Sequence, residues 1–301
     1  MDCTADFQIR LYNRRTSAYE TEVVCGRRWM ELIYGTAWGP ILARLVLCRP
    51  AFSSFYGRLQ RHPASRRRIA PFVTQYGVDL SEAVVPAGGY RSFNDFFIRR
   101  LKPEARPVDP DSRRLIAPAD SRLQAFTIRD NTWINIKGAA VTLPGMLEVD
   151  HLERAFEGGL ALVFRLAPSD YHRFGYVTAG RQSAVHILGG PLHSVNPLAL
   201  RHKPDIHFSN QRHWCRIESP LLGSVLQVEV GAMLVGSIVQ HQPHGAWCGR
   251  GQEKGYFQFG GSTVILVLES QRVRIDADIR DHSARGVETL VRYGEGVGTL
   301  R

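Results

Sequence analysis

The sequence predicts an α+β fold, with N-terminal helices followed by a mostly antiparallel β core of sandwich or barrel-like form. Three observations carry that prediction. Before about residue 100, apolar residues recur at three- and four-residue spacing, the period of one helix face. After about Leu115 they alternate or run on continuously over strand lengths. Between the two lies a proline-rich connector, Lys102 to Pro110, which divides a helical region, 1–110, from a β-rich region, 111–301.

In chain order, Trp29, Leu32, Ile33 and Thr36 mark the face of a first helix. Ser65 is the expected N-cap of a second. Its face is Ile69, Phe72, Val73 and Tyr76, and Gly77 ends it. Pro71 falls inside that helix and either kinks it or delays its start. Ser92 caps a short helix over Phe93 to Phe97. In the second half, Leu160 to Leu166 is a continuous apolar run of strand length, and Thr263 to Leu268 reads as a strand buried on both faces. Arg272 to Ile279 alternates strictly, which predicts a half-buried strand. Asp150 to Phe156, capped by Asp150, is the clear helix of this half. Glycine pairs at 158–159, 189–190 and 260–261 punctuate the runs.

The composition excludes several classes. With 301 residues, 44% hydrophobic and 22% charged, the chain is neither disordered nor a coiled coil. The longest apolar stretch, Thr36 to Phe52, is broken by Arg44, Arg49 and two prolines, so no membrane-spanning helix is expected. The first twenty residues carry Asp2, Asp6, Arg10, Arg14, Arg15 and Glu20, which argues against a secretory leader. Five scattered cysteines without a C-x-x-C pair argue against a disulfide framework or zinc knuckle. The net charge is +10, and residues 1–70 hold twelve arginines against five acids. Such a surface suits a polyanion, either nucleic acid or anionic lipid, and charge alone does not choose between them.

Searches for common catalytic motifs narrow the field further. The chain has no G-x-x-x-x-G-K-[ST], no G-x-G-x-x-G after a strand and no H-E-x-x-H. His241 and His244 have ligand-like spacing but a proline between them and no acid or cysteine pair nearby, so no metal is expected. His186, His193, His202, His207 and His213 read as loop and surface histidines. The nucleophile elbow G-x-S-x-G fails because position 264 is Val264. Gly260-Gly261-Ser262-Thr263, opening a buried strand, has another use. A serine hydroxyl can attack its own Gly–Ser peptide bond where glycine permits a strained turn and a base is near; the resulting ester can eliminate to leave a pyruvoyl group. The plainer reading of that motif is a tight turn into a strand.

Several blocks resemble the phosphatidylserine decarboxylase family, in its order and at its spacing. They are Ser92-Phe93-Asn94-Asp95-Phe96-Phe97-Ile98-Arg99-Arg100-Leu101-Lys102-Pro103, Ala105-Arg106-Pro107, Pro118-Ala119-Asp120, and Leu166 to Phe174. Ser194-Val195-Asn196-Pro197, Val230 to Ile238, and Phe257 to Thr263 complete the set. The resemblance implies cleavage between Gly261 and Ser262, giving a β chain, 1–261, and an α chain, 262–301. Ser262 would be the nucleophile and the precursor of the pyruvoyl cofactor. Asp120 would belong to the charge relay that drives the cut, and His172 would sit beside the pyruvoyl group during decarboxylation. The family usually has a second histidine three residues after His172; here that position is Gly175, so the relay lacks its expected base. Ser121 also stands where glycine is usual.

The resemblance further implies phosphatidylserine as substrate, decarboxylated to phosphatidylethanolamine, and no metal. It implies a peripheral place on an anionic surface at the cytoplasmic face of the cell membrane. A homodimer is suggested; nucleic acid is not a partner. Trp29, Tyr34, Trp38, Phe52, Phe55 and Tyr56 among Arg27, Arg28, Arg44, Arg49 and Arg58 suit an interfacial surface. Two rivals stand beside this reading, an unprocessed lipid-binding homologue impaired at Gly175 and a pyruvoyl decarboxylase of a soluble amino acid. A carrier module is disfavoured, since the Val230 to Gln240 hairpin has no lysine to modify. A nucleic-acid binder rests on charge alone.

Overall fold

An eleven-stranded sheet forms the centre of the molecule, with the Ser262–Leu268 strand in its interior. The structure is a computed structural model and describes residues 9–22, 48–129, 133–136, 139–148, 153–195, 206–232, 237–258 and 262–301. Across the sheet the strands are Ala246–Cys248, Gly180–Gln182, Arg212–Ser219, Gly223–Gly231, Ser262–Leu268, Leu160–Leu166, Ser121–Thr127, Glu288–Val291, Arg10–Asn13 and Ala18–Thr21. His186–Leu188 also pairs with Arg212–Ser219. Every pairing is antiparallel except that of Arg10–Asn13 with Glu288–Val291. The sheet does not close on itself, so the core is a sandwich rather than a barrel.

The predicted strands at 160–166 and 263–268 are side by side in its centre, paired from Leu160 opposite Leu268 to Leu166 opposite Ser262. Their largely apolar character, interrupted by Arg165 and Thr263, follows from burial on both faces. Val264, Leu266 and Leu268 face one core with Leu162, Phe164 and Leu166. Ile265 and Val267 face a second core with Val163, Leu226, Val228 and Phe156. Each such side chain contributes about 1.5–3 kcal/mol by leaving water. On the first face pack two three-stranded sheets, Ile238–Gln240 with Glu253–Phe257 and Arg173–Gly175, and Val273–Ile275 with Gly296–Leu300 and Arg114–Ile116.

Charge is also buried. Arg122 and Arg165 are directly opposed on neighbouring strands, where like charges repel. Carboxylates compensate: Arg165 forks onto Glu288 and Glu22, and Arg122 contacts Glu22 and Asp170. On the first core's face, Lys254 and Glu229 form an ion pair at 2.8 Å with neither side chain exposed.

The Phe93–Phe97 helix forms as expected, with the Ser92 hydroxyl accepting from the Asp95 N–H. The helix before it differs in its start. Ser65 is not its N-cap but lies inside a 3-10 turn, Pro63–Arg68, where its buried hydroxyl is 2.7 Å from the His62 carbonyl and accepts the Phe93 N–H. The α-helix runs Ile69–Tyr76 and ends at Gly77 with φ 62°. Pro71 therefore falls in the first turn, where a missing N–H leaves no bond unmade.

The predicted strand over 272–279 is corrected. Only Val273–Ile275 is extended, and Ala277–Ala284 is a helix with Ile279 and His282 buried. Asp276 marks the junction, its carboxylate gripped by Arg14 and Arg114. The alternating pattern runs across a strand end and a helix start. Further elements not anticipated are the Arg10–Asn13 and Ala18–Thr21 hairpin, which puts strands ahead of the helices, and the short helices Leu143–Leu147 and Ile206–Ser209. The helix expected around Trp29 to Thr36 and the Asp150 cap lie outside the described residues; Glu153–Phe156 is helical. No helix among the described residues is long and apolar enough to cross a membrane.

Candidate active site

Ser262 is the first residue of the central strand, paired with Gly231 on one side and Leu166 on the other. It is fully buried, and its Oγ has no hydrogen-bond partner among the described residues. Leaving a buried hydroxyl unsatisfied costs about 1–3 kcal/mol. The adjacent Thr263 hydroxyl shares that condition. Gly261 lies outside the described residues.

His172 reaches the same end of the sheet from the partner strand. Leu166 ends that strand, and the chain then turns through Ala167 to Asp170, whose carboxylate accepts the Ala167 N–H at 2.6 Å. His172 is fully buried, with its ring centroid 4.0 Å from that of Phe97. Its Nδ1 is 3.0 Å from the Asp170 carbonyl, which can only accept; the proton belongs on Nδ1 and Nε2 is the basic nitrogen. The His172 carbonyl accepts the Phe257 N–H at 2.9 Å. The 166–172 segment is thus tied to the chain at Phe257 and again at Ser262, on either side of Gly261.

Asp120 emerges at this end too, just before the Ser121–Thr127 strand. One strand separates it from Ser262, a spacing of roughly 10 Å. Its bonds lead elsewhere. Arg106 holds both carboxylate oxygens, with Nη2 at 2.6 Å, and the Tyr293 N–H donates to Oδ1 at 2.8 Å. The structure therefore brings the segments of His172 and Ser262 together and anchors Asp120 on Arg106 and Tyr293.

Gly175 belongs to the Arg173–Gly175 strand, donating its N–H to the Pro118 carbonyl and accepting from Gln227. A Cβ built there would collide with the Tyr293 hydroxyl and lie 2.7 Å from Cζ of that ring. The phenol donates to the Gly251 carbonyl at 2.9 Å, and burial pushes its pKa up. It stays protonated and is no base. Tyr293 thus joins Asp120, through its backbone, to position 175, through its ring. Nothing in the sequence around Tyr293 marks this role.

Two further residues enter the site without having been assigned a role. Burial pushes the Asp170 carboxyl up to about 6, against the pull of Arg122 and the Ala167 N–H. Arg99 lies beneath the same turn, donating through Nη2 to the carbonyls of Ser169 and Asp170. Beside them opens a cavity of about 350 Å³, lined in part by Arg99, Arg106, Asp120, Arg122, Asp170 and Tyr171.

The phosphatidylserine decarboxylase family model matches residues 93–299. A phosphatidylserine decarboxylase proenzyme of Clostridium botulinum (strain Alaska E43 / Type E3) is 39% identical over 292 residues, covering 97% of this chain and 99% of the relative. Those of Clostridium perfringens (strain SM101 / Type A) and Desulfitobacterium hafniense (strain Y51) are 38% and 39% identical, each over 96% of this chain, and cover 99% and 98% of those relatives.

Proposed function

The chain belongs to the phosphatidylserine decarboxylase family, and on that premise we propose that it cuts itself between Gly261 and Ser262 and then decarboxylates phosphatidylserine to phosphatidylethanolamine. The observation that carries the reading is the buried Ser262 hydroxyl, without a hydrogen-bond partner among the described residues, at the head of the central strand. That atom and its setting suit a serine that becomes a pyruvoyl group.

In the cut, Ser262 Oγ adds to the Gly261 carbonyl carbon, its proton passes to a base, and the peptide C–N bond breaks to leave an ester. Loss of the Ser262 α-proton expels the Gly261 carboxylate, and water converts the new terminus to pyruvoyl with release of ammonia. His172 Nε2 is the candidate base on the facing segment. The pyruvoyl ketone supplies the electron sink for loss of carbon dioxide from an amino-acid headgroup. His172 holds the proton needed at the carbon that the carboxylate leaves, and Phe97 against its ring keeps water away. A cut would leave residues 262–301 in place. Ser262–Leu268 is held between two strands, and Glu288–Val291 between two others.

A peripheral place on an anionic membrane is supported by the Pro50–Arg61 helix, where Phe55 and Leu59 are exposed beside Arg58, and by the exposed run Arg66 to Arg68. Trp29, Tyr34, Trp38 and their neighbouring arginines lie outside the described residues. One observation favours a second reading, the unprocessed homologue: Tyr293 fills the space beside Gly175 that a relay histidine would need.

Intact mass of the purified protein separates the two. Two fragments are expected, the smaller being 262–301 with a pyruvoyl terminus, and Ser262→Ala should stay whole. Phosphatidylserine vesicles should then yield phosphatidylethanolamine. A single 33.8 kDa species after long incubation would favour the unprocessed reading.

A further inference from the structure

Of the arginines that line the cavity beside the 169–171 turn, Arg99 differs from the rest. Arg106 is paired with Asp120 and Glu82, Arg122 with Glu22 and Asp170, Arg292 with Glu82, and Arg15 with Glu295. Arg99 has no carboxylate in salt-bridge reach among the described residues. It is 6% exposed, and its Nε and Nη1 have no hydrogen-bond partner among them. Nη2 makes only two long bonds, 3.3 and 3.4 Å, to the carbonyls of Ser169 and Asp170, and the guanidinium sits 5.1 Å from the Phe96 ring centroid. A guanidinium stays charged even when buried, so two of its nitrogens are left unanswered in a residue that lines the cavity.

We propose that Arg99 is the anion-binding residue of this cavity and that it takes the phosphodiester of a serine-phospholipid headgroup. The assignment rests on the decarboxylase reading above and adds a recognition residue to it. Three arguments lead to that ligand. The cavity, about 350 Å³, falls at the small end of the range for small-molecule sites, roughly 300–1,000 Å³. A fork of free N–H donors fits two oxygens of a phosphate or carboxylate. Between these, the chemistry chooses. The headgroup carboxylate must lose its charge as it leaves, and an arginine on it would stabilise the ground state and oppose the reaction. The phosphodiester keeps its charge throughout. Location agrees, because the Asp170 carbonyl accepts from both Arg99 Nη2 and His172 Nδ1. An anion on Arg99 is therefore one peptide group away from the histidine proposed to move the proton.

Calorimetric titration of the Ser262→Ala protein tests this without requiring the cut. Glycerophosphoserine, the soluble headgroup phosphodiester, should bind, and Arg99→Gln should weaken it about tenfold or more. Arg99→Lys keeps the charge but loses the fork, so it should also bind more weakly than arginine; it serves if the glutamine variant fails to fold. Free serine should show no binding that depends on Arg99. Glycerophosphoserine affinity unchanged in the folded variants would overturn the proposal. So would Arg99-dependent binding of free serine, or of inorganic phosphate where glycerophosphoserine does not bind. A wild-type chain that never cleaves, with Arg99-dependent glycerophosphoserine binding intact, would sink the decarboxylase reading alone. An active chain with Arg99-independent binding would sink this site alone.

Discussion

The hydroxyl of Tyr293 occupies the space into which any side chain at Gly175 would grow. Its ring fills the gap left by the missing histidine, while its N–H holds Asp120, the residue expected to relay through that histidine. Adding a histidine at 175 is therefore not a simple repair.

Gly175→His alone should force the phenol out, break its bond to the Gly251 carbonyl, and cost about 1–3 kcal/mol. Its melting temperature should fall and the small fragment should appear no faster. With Tyr293→Ala added, the Gln252 carbonyl, 2.9 Å from the new Cβ, is the close contact left to give way, and fragment formation should outpace that of the single variant. Equal time courses by intact mass would reject the steric account.

His172→Ala should lower turnover of phosphatidylserine vesicles by a factor of about 100 or more in chains that have cleaved. If it also stops the cut, His172 serves both reactions. Normal cleavage together with normal turnover would remove both roles.

Asp170 makes stability depend on pH with a definite sign. Its carboxyl stands at about 6 in the folded chain against 3.8 unperturbed. The raised value means that its contribution is fully present below about pH 4 and is lost as pH rises through about 6. Asp170→Asn does not ionise. Its stability relative to the parent should rise between pH 4 and 7, by on the order of 3 kcal/mol. Melting temperatures that run parallel over that range would contradict the assignment.

The Lys254–Glu229 pair has no exposed atoms to take up water if one partner is lost. Lys254→Met should cost about 3–5 kcal/mol by leaving a buried carboxylate uncompensated. Adding Glu229→Leu should recover most of it. Denaturant unfolding of the three variants closes the cycle; additive losses would show that the pair is not coupled.

At the proposed membrane face, Arg66→Gln with Arg67→Gln removes two exposed charges and should weaken binding to anionic vesicles about tenfold at low salt. Phe55→Ser should weaken it at low and high salt alike, because its contribution is apolar. Cosedimentation that is indifferent to both changes would move the contact surface elsewhere.

Signals that act within a few residues are legible in the sequence alone. The central strand was legible at 263–268 because a strand buried on both faces is apolar along most of its length. So was the Ser92 helix, because its cap bond spans three residues. The family was legible for the same reason, in short blocks that include Asp120, His172 and Ser262. What the fold decided are meetings of residues far apart in the chain. Tyr293 reaches Gly175, Arg106 takes Asp120, and Asp276 receives Arg14 and Arg114, ending a strand that the alternating pattern alone would extend. Ser65, read as a cap, turned inward to serve Phe93 instead. Such contacts depend on sheet register and packing, and neither leaves a periodic trace in the sequence around the residues concerned.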